Sequence, residues 1–283
     1  MPSVTSHSLD AIADNLTQDA DGVWRPTDRS AVSFPVDGNV RNAKLEEMSF
    51  WFRHRSRCIV EAVRTWPPPG WIFDIGGGTG FVSQALVNAG FDTVLVEPDP
   101  EAVHVALDRG LTRIVGATFH DAGFKPRSVP AAGLFDVLEH IEDDHAFLGS
   151  IGDLLVDEGR LYITVPAYNL LYSNEDTRAG HFRRYTIKSV TGKLRSAGFR
   201  IEYATYVFQL LPIPILLFRT IPTRLGIRRH SEFGRIQQEH RAPSRLMGAL
   251  MTRTFQRELT AIRNKHRCLF GGTCLVVAQV DRP

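Results

Sequence analysis

The sequence predicts an α/β domain built on a doubly wound, mainly parallel sheet, and three observations carry that prediction. Apolar runs of strand length alternate with amphipathic segments of helix length from residue 71 onward, the order that places helices on both faces of a parallel sheet. One such run ends in Asp74-Ile75-Gly76-Gly77-Gly78-Thr79-Gly80, a glycine turn that feeds a helix and lets the backbone approach a nucleotide-like ligand closely. A second run ends in Glu97, about 20 residues further on, where an acid grips a ribose diol.

Taken in order, residues 42–65 read as a helix, with Leu45, Met48, Phe52, Ile59 and Val63 on one face and the run Pro67-Pro68-Pro69-Gly70 stopping it. Strands are expected at 71–75, 93–97, 113–116, 132–136, 160–165 and 200–207. Helices are expected at 80–89, 100–109, 143–155 and 187–197. The last strand candidate, 273–280, is separated from its predecessor by about 60 residues, too many for a crossover helix alone. Within that insertion, residues 243–265 carry Leu246, Leu250, Phe255, Leu259 and Ile262 at helical spacing, so the insertion is expected to fold. The organisation is thus a flexible tail at 1–41, a core with an N-terminal helix at 42–207, an insertion at 208–266 and a final core strand at 267–283.

Composition narrows the class. At 43% hydrophobic and 23% charged, 283 residues suit one globular α/β domain with additions, and a second full domain is not expected. A net charge of +2 gives no argument for a nucleic-acid partner. Cys58, Cys268 and Cys274 are scattered, odd in number and lack metal-ligand spacing, which points to a reducing compartment and no structural metal. The polar start of the chain, with Asp10, Asp14, Asp19 and Asp21, does not read as a secretory signal, so a cytoplasmic location is expected.

Two ligands fit a glycine turn of this kind. A dinucleotide site uses G-x-G-x-x-G, with the pyrophosphate on the helix N-terminus. Here the spacing is Asp-x-Gly-x-Gly-x-Gly, and Asp74 would repel a pyrophosphate but attract an ammonium and a sulfonium. This pattern resembles motif I of the class I S-adenosylmethionine (SAM)-dependent methyltransferases, in which Glu97 matches the ribose-binding acid. The resemblance runs from about residue 50 to 280 and fits the small-molecule branch, with a type 11/23-like domain. Gly133-Leu134-Phe135-Asp136-Val137-Leu138-Glu139-His140 looks like the fourth motif, Arg160-Leu161-Tyr162-Ile163-Thr164-Val165-Pro166 is similar to the fifth strand, and Ala197-Gly198-Phe199 matches the lead into the sixth.

The resemblance implies a Rossmann-like sheet of seven strands whose last strand is antiparallel, a helical lid at the N-terminus, and an insertion before the last strand. It implies SAM as cofactor. On the donor side it implies that Gly76, Gly78 and Gly80 shape the loop, Asp74 meets the amino acid moiety, and Glu97 with Pro98 lies at the ribose. Phe135 and Asp136 would lie near the methionine portion, with Arg55 reaching the donor carboxylate. The usual acid for the adenine amine is replaced here by Gly116-Ala117-Thr118-Phe119-His120-Asp121, so Thr118 and Phe119 are assigned to the adenine by backbone contact and stacking.

For the acceptor the indications are local. Methyl transfer from a sulfonium is an in-line displacement that needs alignment, desolvation and sometimes a base, and it demands no metal. The segment from Tyr172 to Tyr185 follows the fifth strand, at whose C-terminal end open α/β sheets place their ligands. It offers His181 as the leading general base, with His140 second. Arg183 and Arg184 are candidates to clamp a carboxylate or phosphate. Tyr172, Glu175 and Tyr185, with Phe182, could instead stabilise a cation during methylation of an alkene carbon.

The apolar run 206–218 is too short and too broken by Pro212 and Pro214 to span a bilayer. It leads into Arg219, Arg224, Arg228, Arg229 and His230, which suggests an amphiphilic substrate, peripheral membrane contact or a dimer interface. The leading expectation is a methyltransferase for a small amphiphilic or anionic molecule, acting on oxygen or carbon of a natural product, prenyl diphosphate or lipid-linked intermediate, as a monomer or homodimer. The alternatives are an NAD(P)-dependent oxidoreductase, disfavoured by the glycine spacing and Asp74, and a non-catalytic SAM-binding regulatory protein.

Overall fold

The computed structural model describes residues 9–27, 49–225 and 245–282. Nine strands form one sheet: β1 (Leu16–Gln18), β2 (Trp24–Pro26), β3 (Ile72–Ile75), β4 (Thr93–Val96), β5 (Ile114–Val115), β6 (Val129–Phe135), β7 (Leu155–Pro166), β8 (Phe199–Val207) and β9 (Thr273–Val280). Their spatial order is β1-β2-β5-β4-β3-β6-β7-β9-β8. The pairs β3–β4, β4–β5, β3–β6 and β6–β7 are parallel, and β9 lies antiparallel between β7 and β8. Helices α1 (Phe50–Thr65), α2 (Phe81–Asn88), α3 (Pro100–Asp108), α4 (Asp144–Leu154), α5 (Asn174–Ala179), α6 (Ile187–Ser196) and α7 (Arg245–Arg263) accompany it.

The central strands are buried along their whole length, as a sheet covered on both faces requires. On one face Ile72 packs with Ile59 and Val63 of α1, Val82 and Leu86 of α2, and Ile262 of α7. On the other face Phe73 and Ile75 pack with Leu148 and Ile151 of α4 and with Val190 and Leu194 of α6. The strand order reverses at β3, with β4 on one side and β6 on the other, which opens a crevice beyond their carboxyl ends.

Two sequence expectations need correction. The seven expected strands lie within a sheet of nine, and part of the expected flexible tail supplies the other two. Residues 16–26 form a hairpin that joins the sheet edge through Trp24, whose carbonyl accepts from Gly116 N at 2.7 Å. The acidic residues of this polar start include its turn cap: Asp19 accepts from Asp21 N, Val23 N and Arg25 Nε, while Gly22 takes the left-handed φ of 80°. Val23 is fully buried beneath β4 and β5, against Leu95 and Ile114. The second correction concerns the first helix, which starts at Phe50 with Ser49 accepting from Trp51 N; residues 42–48, including Leu45 and Met48, lie outside the described residues.

The insertion begins with helical turns at Pro212–Ile215, Leu216–Thr220 and Ile221–Arg224. It returns through α7, which packs along α1. Buried Glu258 of α7 joins three segments: it pairs with His54 Nε2 of α1 at 2.7 Å and accepts from Phe208 N and Gln209 N at the end of β8. Arg228, Arg229 and His230 lie outside the described residues.

Candidate active site

The residues expected on the donor side are assembled at the carboxyl ends of β3, β4 and β6. Gly76, Gly78 and Gly80 all take left-handed φ, at 68°, 56° and 74°, so the turn after β3 depends on glycine. Gly77, passed over in the sequence, is required for a different reason: a Cβ there would lie 2.5 Å from Leu95 Cδ1 and 2.7 Å from the Asp74 carboxylate. At Gly78 the corresponding space is open, as close approach of a ligand demands.

Three acids surround this turn. Asp74 is fully buried; Ser83 Oγ donates to its Oδ2 at 2.7 Å, and its Oδ1 has no hydrogen-bond partner. Burial pushes its pKa up to about 6, against the stabilising bond from Ser83. Glu97 accepts from Gly78 N at 2.8 Å and Asp99 N at 2.9 Å, tying the glycine turn to the end of β4, with Pro98 half-buried beside it. Burial outweighs those bonds and raises the Glu97 pKa to about 7. Asp136 follows β6 with a φ of 60°, accepts from Thr164 Oγ1 at 2.9 Å and forms an ion pair with Arg55.

Arg55 is buried on α1, with its guanidinium 4.7 Å from the Trp51 ring centroid and 5.3 Å from that of Phe52. Its Nε has no partner. Unpartnered Asp74 Oδ1 and Arg55 Nε, with the open space at Gly78, suit a ligand that carries both an ammonium and a carboxylate. Phe135 is buried, its ring folded over Gly133. Thr118 and Phe119 are less available than the adenine assignment expected. The Thr118 hydroxyl donates to Asp121 Oδ2 and accepts from Asp121 N, and Phe119 is buried edge-on to Phe147 while its ring tilts over His120.

On the acceptor side, His181 stands beyond the end of β7. Its Nδ1 lies 2.9 Å from Asp176 Oδ1, and its ring packs edge-to-face with His140 at 4.7 Å. Asp176, a residue the sequence reading did not single out, is held by Arg184 through two bonds of 2.7 and 3.0 Å. Burial opposes its ionisation, but the bonds from His181 and Arg184 prevail and keep its carboxyl far below the usual range. His140 is pushed down to a pKa of about 4 by desolvation and then by the neighbouring His181. Glu139 was also missed; it is buried with Oε2 unpartnered, and burial raises its pKa well above the usual carboxylate range.

Both arginines of the expected anion clamp are engaged within the protein. Arg184 is buried on Asp176 and Ala167 O, while Arg183 pairs with Asp144 and donates to Glu142 O. One dipeptide thus anchors two different walls, Arg183 at Asp144 and Arg184 at Asp176. Tyr185 is likewise a core residue, with its hydroxyl donating to Asp144 Oδ2 at 2.8 Å. Tyr172 donates to the His181 carbonyl, and Glu175 accepts from Ser173 Oγ, so both brace the loop.

The Methyltransferase domain family model matches residues 51–204, more than half of the chain. The chain belongs to the methyltransferase domain family. Its fold is shared with solved SAM-dependent methyltransferases. Among solved structures it is similar to phosphoethanolamine N-methyltransferase 2 of Haemonchus contortus, crystallised with SAM: 16% identity, TM-score 0.54, covering 92% of this chain and 62% of that one. A SAM-dependent methyltransferase of Thermotoga maritima has 14% identity and a TM-score of 0.52 over 86% of this chain and 97% of that one. At such identity these likenesses show the fold alone.

Curated relatives share a shorter region. The ubiquinone biosynthesis O-methyltransferase of Xylella fastidiosa is 26% identical over 99 residues, 33% of this chain and 40% of that protein. Its counterpart in Xanthomonas campestris pv. campestris is 28% identical over 114 residues, 38% and 48% of the respective chains. The chain thus spans less than half the length of these relatives.

Proposed function

We propose that this methyltransferase O-methylates a small amphiphilic molecule, with His181 as general base and Asp176 as its positioning residue. The observation that carries the reading is the Asp176 contact to His181 Nδ1. In the neutral imidazole whose Nδ1–H donates to the carboxylate, Nε2 carries the lone pair that can accept an acceptor hydroxyl proton. Arg184 fixes Asp176 from behind, so the imidazole is held by a chain of buried bonds. His140, whose pKa is pushed down to about 4 by desolvation, is neutral near pH 7 and adds a ring wall without competing charge.

On the donor side, Asp74 and Arg55 would hold the two charges of the donor's amino acid moiety and Glu97 its ribose hydroxyls. The bound donor supplies an electrophilic methyl group on sulfur. Trp51, Phe52 and Phe135 exclude water from the space around Arg55 and Asp136, which sharpens the electrostatics there. The name of the curated relatives, O-methyltransferases of ubiquinone biosynthesis, agrees with oxygen as the acceptor atom. Carbon methylation of an anionic substrate loses support, because Arg183, Arg184 and Tyr185 are engaged in structural bonds.

The test is to incubate the protein with methyl-labelled donor, a panel of phenols bearing alkyl tails, and cell extract, and to locate the label by mass spectrometry and NMR. The expected product is a methyl ether, and His181→Ala is expected to lower kcat by about 10²–10⁴-fold with donor affinity unchanged. Label on carbon or nitrogen, or an unchanged kcat in the variant, would refute the reading.

A further inference from the structure

We propose that the helical segment Pro212–Arg224 docks this methyltransferase onto an anionic bilayer surface. Its outward side is apolar, unlike that of a solvated helix. Ile213, Leu217, Phe218, Ile221 and Leu225 recur at helical spacing and are 67%, 50%, 58%, 40% and 69% exposed. The side chains of Thr220 and Thr223 instead turn toward the protein. Thr220 Oγ1 donates to Leu171 O at 3.1 Å, and Thr223 Oγ1 accepts from Asn174 N at 3.4 Å. Exposed Leu170, whose carbonyl accepts from Arg224 Nη2 at 3.1 Å, extends the apolar area. A patch of this kind on a soluble surface marks an interaction site.

Charge selects the occupant. No Asp or Glu occurs between Glu202 and Glu232, whereas Arg219, Arg224, Arg228 and Arg229 all fall there. Exposed Arg224 lies next to Leu225 and Ile221, where its aliphatic stem can lie along the apolar face and its guanidinium can reach lipid phosphate. A second copy of the chain would bring like charges together on the same patch, while an anionic leaflet neutralises them. No described helix is long and apolar enough to cross a membrane, so the segment would lie in the interface plane. The buried face rests on residues 170–174, immediately before the helix that carries Asp176. Docking therefore brings the acceptor side of the site to the lipid surface. The docking itself does not depend on which atom is methylated.

The test is co-sedimentation of the full chain with vesicles of phosphatidylglycerol and phosphatidylcholine, and with phosphatidylcholine alone. Binding is expected on the anionic vesicles, at least about tenfold weaker on the neutral ones, and weakened by salt. Leu217→Asp with Ile221→Asp is expected to reduce it by at least about tenfold while leaving the melting temperature and donor affinity unchanged. Should that variant misfold, Arg224→Glu serves instead, with an expected loss confined to the anionic vesicles. The proposal is overturned by absent vesicle binding, by equal binding of wild type and folded variants, or by a concentration-dependent dimer that the variant abolishes while vesicle binding is absent.

Discussion

At the residue scale, Asp74 and Glu97 are held as costly carboxylates. Both sit in the crevice at the switch point, and burial raises their pKa values to about 6 and about 7. A carboxyl whose folded pKa exceeds its unfolded one favours folding below the unfolded value, and that advantage is lost as pH rises through the folded value. The ligand-free protein is therefore expected to lose stability as pH climbs from about 4 through 6 and 7, by on the order of 3 kcal/mol for Glu97 alone. Denaturant melts across that range check this, with Glu97→Gln expected to flatten the curve. Donor binding is expected to release protons near pH 6, measurable by calorimetry in buffers of different ionisation enthalpy. Both acids stand at strand ends beside the glycine turn, positions that the sequence makes legible because strand ends and glycine spacing are local signals. Gly77 escaped because its constraint comes from Leu95 on the neighbouring strand.

At the element scale, the segment from Ala167 to Tyr185 shows where single-sequence reading stops. His181 was legible as a titratable group beyond a strand end. Its partner Asp176 was not, although Ser173 and Asp176 form a reciprocal capping box whose spacing is visible in the sequence. The roles of Arg183 and Arg184 depend on which distant acid each reaches, Asp144 or Asp176, and such tertiary pairings are not visible in a single sequence. Breaking the buried pair with Arg184→Ala is expected to cost about 3–5 kcal/mol in chemical denaturation, and Arg183→Ala distinctly less because that side chain is partly solvated. The depressed Asp176 carboxyl contributes stability that is present above the ordinary carboxylate pKa of about 4 and is lost as pH falls below it. Arg184→Ala should therefore also be less sensitive to acid.

At the scale of the whole molecule, strand and helix alternation located the central elements to within a few residues. Both faces of the sheet are covered, and the hydrophobic runs are correspondingly continuous. The edge was harder. Two three-residue strands carry too little apolar periodicity to separate from a tail, and only the buried Val23 and the Asp19 turn reveal them. The insertion was recognised as folded, but the apolar outward side of its first helical segment is a tertiary property. The molecule thus combines a buried glycine-turn crevice, a braced histidine and an exposed apolar helical face beside the loop from Ala167 to Tyr185. The most direct measurement of the central claim is the single-turnover rate of wild type and His181→Ala with two matched phenols, one already ionised at assay pH. If His181 removes the hydroxyl proton, the variant's defect with the ordinary phenol shrinks at least about tenfold with the ionised one. An equal defect with both phenols would contradict the base role and leave His181 as a packing residue of the site.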